Sequence, residues 1–238
     1  MSFPPNIGSR AGRGTKALKK LASGGAPPTI QSFTSGSGTY TTPAGVKWIE
    51  VELVGAGSGG GGGSGTNNDQ TAGASGGNTT FGSLTANGSG AGSNFLTAGT
   101  PGTASGGDIN FAGQLGQQGQ VGFAGVSRGI GGTGGATPFS GAGVGNAAGV
   151  TGAAASANTG SGGGGGGGDN SASLTANSGV GGSSGGYVRK TITAPSATYS
   201  YAVGAGGAGG TGSTGAVTGS AGGAGAAGFI IVTEHYNA

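Results

Sequence analysis

GQLGQQGQVGFAG, residues 113–125, places a glycine at every third position: Gly113, Gly116, Gly119, Gly122 and Gly125. After one slip of phase the period resumes at Gly129, Gly132 and Gly135. It returns at Gly206, Gly209, Gly212 and Gly215, and again at Gly219, Gly222, Gly225 and Gly228. A flexible linker has no reason to keep such a spacing. Three residues per turn is the repeat of a polyproline-II-type helix, which rises about 3.1 Å per residue and makes no internal hydrogen bonds. Where every third residue lacks a side chain, neighbouring helices approach closely enough for the N–H of one to meet the C=O of another. A packed stack of such helices builds its interior from backbone. Collagen shares the period but needs abundant proline, and only 8 of the 238 residues are Pro. The spacing therefore predicts a bundle of polyglycine-II-type helices, with the glycine runs 162–168 and 59–63 as innermost members.

The flanks of this glycine-rich interior read as strands. In KWIEVELV, residues 47–54, Lys47, Ile49, Val51 and Leu53 alternate with Trp48, Glu50, Glu52 and Val54. That period of two predicts a half-buried strand, with Ile49, Val51 and Leu53 facing a core and Glu50 and Glu52 facing water. YVRKTI (187–192) sets Val188 and Ile192 on one side, TYSYAV (198–203) aligns Tyr199, Tyr201 and Val203, and Pro195 marks the connection between two strands. FIIVT (229–233) is apolar on both faces and reads as a buried central strand. Because these strands come from opposite ends of the interior, their pairing closes it into a domain. The expected fold is all-β and irregular: a small β-sandwich-like cluster of strands enclosing the polyglycine-II-type bundle. A weaker echo, SLTAN at 83–87 and again at 173–177, predicts short extended segments that pack Leu84 and Leu174 against glycine layers.

Composition agrees with an interior made of backbone. With 67 Gly, 6% charged and 6% aromatic side chains, an ordinary apolar core is poorly supplied. Cysteine is absent, which excludes disulfides, thiolate chemistry and Cys-based zinc sites. No stretch approaches the roughly 18–20 apolar residues of a membrane span, and the N-terminus lacks the apolar core of a signal peptide, so neither membrane insertion nor signal-directed secretion is expected.

Charge is unevenly placed. Arg10, Arg13, Lys16, Lys19 and Lys20 lie before residue 31 with no acid among them, whereas the remainder carries four basic residues against six acids. The basicity belongs to a tail. Within it Leu18 and Leu21 suggest a brief amphipathic helix over 15–22, too short to stand alone. These five basic residues are anchor candidates for an acidic site in a larger assembly; a solvated leader is the competing role. The body lacks a basic, aromatic-bearing surface, so nucleic acid is not an expected partner. Two units follow: residues 1–33 as basic tail or anchor, and 34–238 as the glycine-rich domain.

The sequence TYTTPAGVKWIEVELVGAG, a long glycine-rich interior, GGYVRKTI, TYSYAVGAGG and a closing GGAGAAGFIIVTEHY together resemble the glycine-rich receptor-binding domain of tailed-bacteriophage tail fibres. The likeness runs over about residues 34–236 and extends to the tip adhesins of such fibres, whose glycine-rich helices hold variable loops. The basic tail lies outside it. The resemblance implies a virion protein, located on a tail fibre or other surface fibre, that binds a bacterial surface glycan or outer-membrane protein. It implies further virion proteins as partners through the tail, assembly as a homotrimer, release by host lysis and no cofactor.

Receptor-binding candidates are the residues that interrupt the glycine triplets: Asn67, Asn68, Asp69, Gln70, Phe95, Asp108, Asn110, Phe111, Phe123, Arg128, Phe139, Asp169 and Asn170. Aromatic rings stack on sugar faces, and Asn, Asp and Gln supply directional hydrogen bonds. Each Phe competes with a role as a plug between glycine segments, and each Asp or Asn with a role as a solvated turn residue.

Catalysis has a thin basis. Glycoside hydrolysis needs two carboxyl groups about 5–10 Å apart, and only Asp69, Asp108 and Asp169 lie in the interior. The single histidine, His235, adjoins a buried strand near the end of the sequence, and no glycine run continues as a phosphate loop. The expectation is a binding protein and not an enzyme, with no metal. A purely structural fibre or decoration protein is the alternative. Ice binding is disfavoured, because Gln, Phe, Val and Arg would roughen a flat array of small residues.

Overall fold

The structure is a computed structural model that describes residues 26–65, 69–92, 97–122, 129–139, 141–168, 176–215 and 218–237. Among these residues the chain is all-β, with no helix. The strands in chain order are β1 (Thr29–Phe33), β2 (Ser37–Thr41), β3 (Trp48–Val54), β4 (Thr79–Phe81), β5 (Leu84–Ala86), β6 (Ala104–Ser105), β7 (Ile109–Phe111), β8 (Val121–Gly122), β9 (Ala176–Asn177), β10 (Tyr187–Ile192), β11 (Thr198–Ala202) and β12 (Phe229–His235). Two antiparallel five-stranded sheets have the orders β1-β12-β3-β10-β7 and β2-β11-β4-β5-β6, and β8 pairs with β9.

The alternation read in residues 47–54 is the pattern observed: Ile49, Val51 and Leu53 are fully buried while Trp48, Glu50 and Glu52 are partly exposed. β12 lies between β1 and β3, as its apolar faces require. Pro195 does separate two strands, yet β10 and β11 belong to different sheets, so the connection crosses from one sheet to the other. Ile49, Val51, Leu53, Val188, Ile230 and Val232 from the first sheet meet Tyr40, Phe81 and Leu84 from the second in one apolar cluster. Leu84, expected against glycine layers, is instead part of this cluster. The second copy of its pentapeptide falls largely outside the described residues.

One polar group enters this cluster. Glu234 is 2% exposed, and its carboxylate accepts hydrogen bonds from Gln31 Nε2 at 2.7 Å, from the Tyr40 hydroxyl at 3.0 Å and from Thr29 Oγ1. Tyr40 sits in the second sheet and Glu234 in the first, so the bond pins the two together. Burial, and then the neighbouring carboxylate, push the Tyr40 hydroxyl well above the usual phenol range.

The tail boundary differs from the one read in the sequence. Residues 29–33, counted with the tail, form β1 and pair with β12 from Thr29↔Glu234 to Phe33↔Ile230. The physical reason is non-local: TIQSF carries only two large apolar residues, and the strand is held by β12 and by its donors to Glu234.

Beyond the sheets, segments without regular strand pairing hold one another through backbone hydrogen bonds that repeat every three residues. In residues 55–64 successive N–H groups leave in three directions. Those of Gly55, Ser58, Gly61 and Ser64 reach the carbonyls of Gly186, Ser183, Val180 and Asn177. Ala56, Gly59 and Gly62 reach Gly77, Ala74 and Thr71, and Gly57, Gly60 and Gly63 reach Ala226, Gly223 and Ser220. The carbonyls of Gly57, Gly60 and Gly63 in turn accept from Gly207, Gly210 and Ser213, and those of Ser58 and Gly61 from Gly163 and Gly166. Residues 162–168 behave alike, with Gly162 to Gly167 donating toward 58–61, 132–135 and 150–153 and the run accepting from 143–149, 179–182 and 220–223. Both runs are buried.

The triplet glycines are where these segments touch. A methyl at Gly113, Gly116 or Gly119 would lie well inside 3.0 Å of the carbonyls of Ser184, Gly181 and Ser178, which step back by three along the facing segment. Buried serines reinforce the backbone bonding. Ser89 Oγ, for example, accepts from Ser58 N at 2.7 Å and donates to Ser183 O at 2.7 Å.

Candidate functional site

Strand register decides which side chains share the outer face of the first sheet. Val54, Phe229 and Tyr187 are paired across β3, β12 and β10, and Tyr187 is paired with Phe111 on β7. This row lies where the strands run into the glycine-rich segments, at the waist of the molecule. Trp48 and His235, stacked with ring centroids 3.4 Å apart, mark the opposite end of the same sheet, the base. The chain returns to the waist at Pro138 and Phe139, and the Phe139 ring meets Phe229 edge-on at 5.0 Å and Tyr187 at 5.7 Å. Phe111 lies nearly parallel to Tyr187 at 6.2 Å. The result is a row Phe111–Tyr187–Phe139–Phe229 in which Phe111 is 58% and Phe139 43% exposed.

Two cavities flank this row. One, of about 210 Å³, is lined by Phe111, Gln114, Thr137, Pro138, Ser184 and Tyr187, among others. The other, of about 290 Å³, is lined by Ser32, Thr34, Phe139, Asn158, Thr159 and Phe229, among others. No charged side chain lines either among the described residues. The walls are held by hydrogen bonds: Thr137 Oγ1 donates to Thr159 O at 2.7 Å, and Ser184 Oγ accepts from Gln114 N at 2.7 Å and donates to Ala136 O at 3.1 Å. Asn158 is in the left-handed region, φ 54°, which fixes the turn beside the second cavity. The Tyr187 hydroxyl donates to Glu52 at 2.6 Å. Burial and this carboxylate raise its ionisation above the usual phenol range, so the ring stays neutral and oriented. Beyond the row, Arg189 pairs with Glu50 at 2.6 Å.

The remaining candidates separate into distinct groups. Phe111 and Phe139 are brought together by the fold. Asp108 is exposed but holds the sheet edge, accepting from Thr191 N at 2.9 Å and Lys190 Nζ at 3.3 Å, contacts that keep its carboxyl below the usual carboxylate range. Asn110 closes its own turn through both the N–H and the C=O of Gly107. Asp69 is exposed and accepts from the Thr214 hydroxyl and from Thr214 N at 2.6 Å, which lowers its ionisation. Gln70, expected on the surface, is 5% exposed: it enters one of the antiparallel glycine-rich runs and faces inward. Asn67, Asn68, Phe95, Phe123, Arg128, Asp169 and Asn170, with the anchor candidates Arg10, Arg13, Lys16, Lys19 and Lys20, lie outside the described residues.

Described residues that border several of these segments nevertheless meet one another, at and beside the β8–β9 pair. Ser64 N bonds Asn177 O, Ser213 N bonds Gly63 O and Ser178 N bonds Gln120 O. Sequence reasoning missed Tyr187, Phe229 and Gln114. Tyr187 was detectable in principle, since alternation with Val188 puts it on the outer face, but its partners depend on cross-strand register.

Among the described residues no group of three His, Cys, Asp or Glu side chains is arranged to hold a metal, and no helix is long and apolar enough to cross a membrane. No protein-family model matches this chain, and no curated protein matches it at a significant level.

Proposed function

We propose that this chain is a bacteriophage virion protein, a tail-fibre or fibre-tip adhesin that recognises the bacterial surface from a rigid glycine-rich scaffold. The observation that carries the reading is the two-ended course of the chain. β1 begins and β12 finishes side by side at the base, and Asn237 Nδ2 bonds Ala26 O there. The glycine-rich segments run away from the sheets and back, each bonded to several neighbours. One end is suited to attachment and the other to presentation.

In this reading the glycine-rich segments are polyglycine-II-type helices, supported by the three-residue recurrence of their bonds, and the two sheets form a β-sandwich beneath them, supported by their shared apolar cluster. The basic residues before Ala26 serve as the virion anchor. Assembly as a homotrimer accounts for Leu115, Val121, Ile130, Val144 and Val150, aliphatic side chains left 42–60% exposed along the glycine-rich segments. The protein is a binding module and not an enzyme, needing no cofactor and contacting neither nucleic acid nor the membrane interior.

The test is binding of the purified full chain to intact candidate host cells, beside cells stripped of surface glycan and phage-resistant mutants. Saturable binding lost on one such background supports the adhesin and names the receptor class. No binding to cells that the parent virus infects transfers the assignment to a structural fibre or decoration protein.

A further inference from the structure

We infer that the row Phe111–Tyr187–Phe139–Phe229 is a binding site for a neutral saccharide chain, with one sugar ring seated in each of the cavities that flank it. The inference names a ligand class and a place for the adhesin proposed above, and it rests on that reading only for the source of the saccharide. Size comes first. Cavities of about 210 and 290 Å³ lie below the usual range of about 300–1,000 Å³ for small-molecule pockets, the scale of a single ring each.

Shape and polarity follow. The negative face of an aromatic ring attracts the weakly positive C–H groups that line one side of a pyranose, and Phe111 and Phe139 leave much of their rings uncovered. Hydroxyl groups at the sugar's rim need directional partners, which Gln114 supplies in one cavity and Asn158 and Ser32 in the other, while the Thr137 and Thr159 hydroxyls, already donating to Thr159 O and Ser156 O, add acceptors.

Charge decides among saccharides. A phosphorylated or uronic-acid sugar would enter a site whose lining offers no cation among the described residues. The nearby guanidinium of Arg189 is engaged by Glu50, and the Tyr187 hydroxyl is committed to Glu52. Burying an anion there is costly, whereas a neutral ring exchanges water for apolar faces and hydrogen bonds. The exposed rings are themselves held in place, since Tyr187 is fixed by Glu52 and Phe139 is wedged against Phe229, so little order is lost on binding.

The experiment is saturation-transfer NMR and titration of the full chain with maltotriose, mannotriose and chitotriose, beside trigalacturonate and mannose 6-phosphate, at concentrations on the order of 1 mM. At least one neutral trisaccharide is expected to bind and both acidic sugars to fail. Phe111→Ala and Phe139→Leu are each expected to weaken binding about tenfold in a chain that stays folded, with a modest fall in thermal midpoint for Phe139→Leu from its lost ring contacts, while Lys47→Ala leaves binding unchanged. Preference for the acidic sugars, failure of every neutral probe, or full binding by the folded Phe111→Ala, Phe139→Leu double variant overturns the site. Failure of saccharide binding together with a change in sedimentation of that double variant also overturns it, since the row is then covered by another chain. If the double variant loses the saccharide but still binds host cells, the groove stands and the adhesin acts elsewhere. If wild type binds the saccharide but no host cell, the groove stands and the adhesin reading fails.

Discussion

At Gly60 a missing side chain is a structural requirement. Its N–H reaches Gly223 O at 2.9 Å and its carbonyl accepts from Gly210 N at 2.8 Å, while a methyl on its Cα would collide with the Gly164 carbonyl. Gly60→Ala is expected to cost about 3 kcal/mol or more in denaturant unfolding, because the colliding atom is backbone and cannot step aside. Gly141 is the control. A methyl there meets nothing within 4 Å, and Gly141→Ala should change stability by no more than about 0.5 kcal/mol. Tyr40 is the counterpart in the apolar cluster. Tyr40→Phe removes one donor from buried Glu234 and should cost about 1–3 kcal/mol, read from the same denaturant midpoints.

Among the elements, β1 has the least intrinsic sequence signal and a large consequence. A chain beginning at residue 34 lacks β1, leaves the β12 edge unpaired and strips two donors from Glu234. It should unfold at lower temperature and associate, compared by calorimetry and sedimentation with a chain beginning at residue 26. β2 and β10 carry the two tyrosines with raised ionisation. Because their folded values exceed the unfolded value of about 10, the stability they contribute is complete below pH 10 and is lost as pH rises through the folded values. Alkaline unfolding should therefore set in above about pH 10, and Tyr40→Phe should flatten that slope.

These elements also show what the sequence disclosed. Residues 47–54 and 229–233 announce their faces because large apolar residues alternate or run together. β1 and β2 do not, since TIQSF and SGTYT hold few apolar residues and owe their strand state to partners distant in sequence. The glycine period revealed which residues touch backbone, but the direction of each neighbour is a property of the packed set. The candidate site was half legible for the same reason: Phe111 and Phe139 stand out as interruptions of the triplets, whereas Tyr187 and Phe229 join them only through register.

For the molecule as a whole, the interior is divided between a modest apolar cluster and a large volume of mutually bonded backbone. Exposing apolar surface raises heat capacity and exposing polar surface lowers it. Unfolding this chain should therefore give a heat-capacity increment per residue below the usual figure of about 12–15 cal/mol/K, measured by scanning calorimetry. Ordinary values would mean that apolar burial dominates after all. Amide exchange should be slowest in residues 55–64, 160–168 and 178–186, whose donors are both bonded and buried.

The pairing of β1 with β12 also sets how the protein bears load. Thr29 is at the base and Phe33 toward the glycine-rich end, so a pull on the chain ahead of Thr29 against the glycine-rich segments runs along the strand. Under that geometry the five paired positions of β1 and β12 resist sliding together, whereas a sideways pull would open them singly, beginning at Thr29↔Glu234. The joint is strongest along the strand axis and weakest across it.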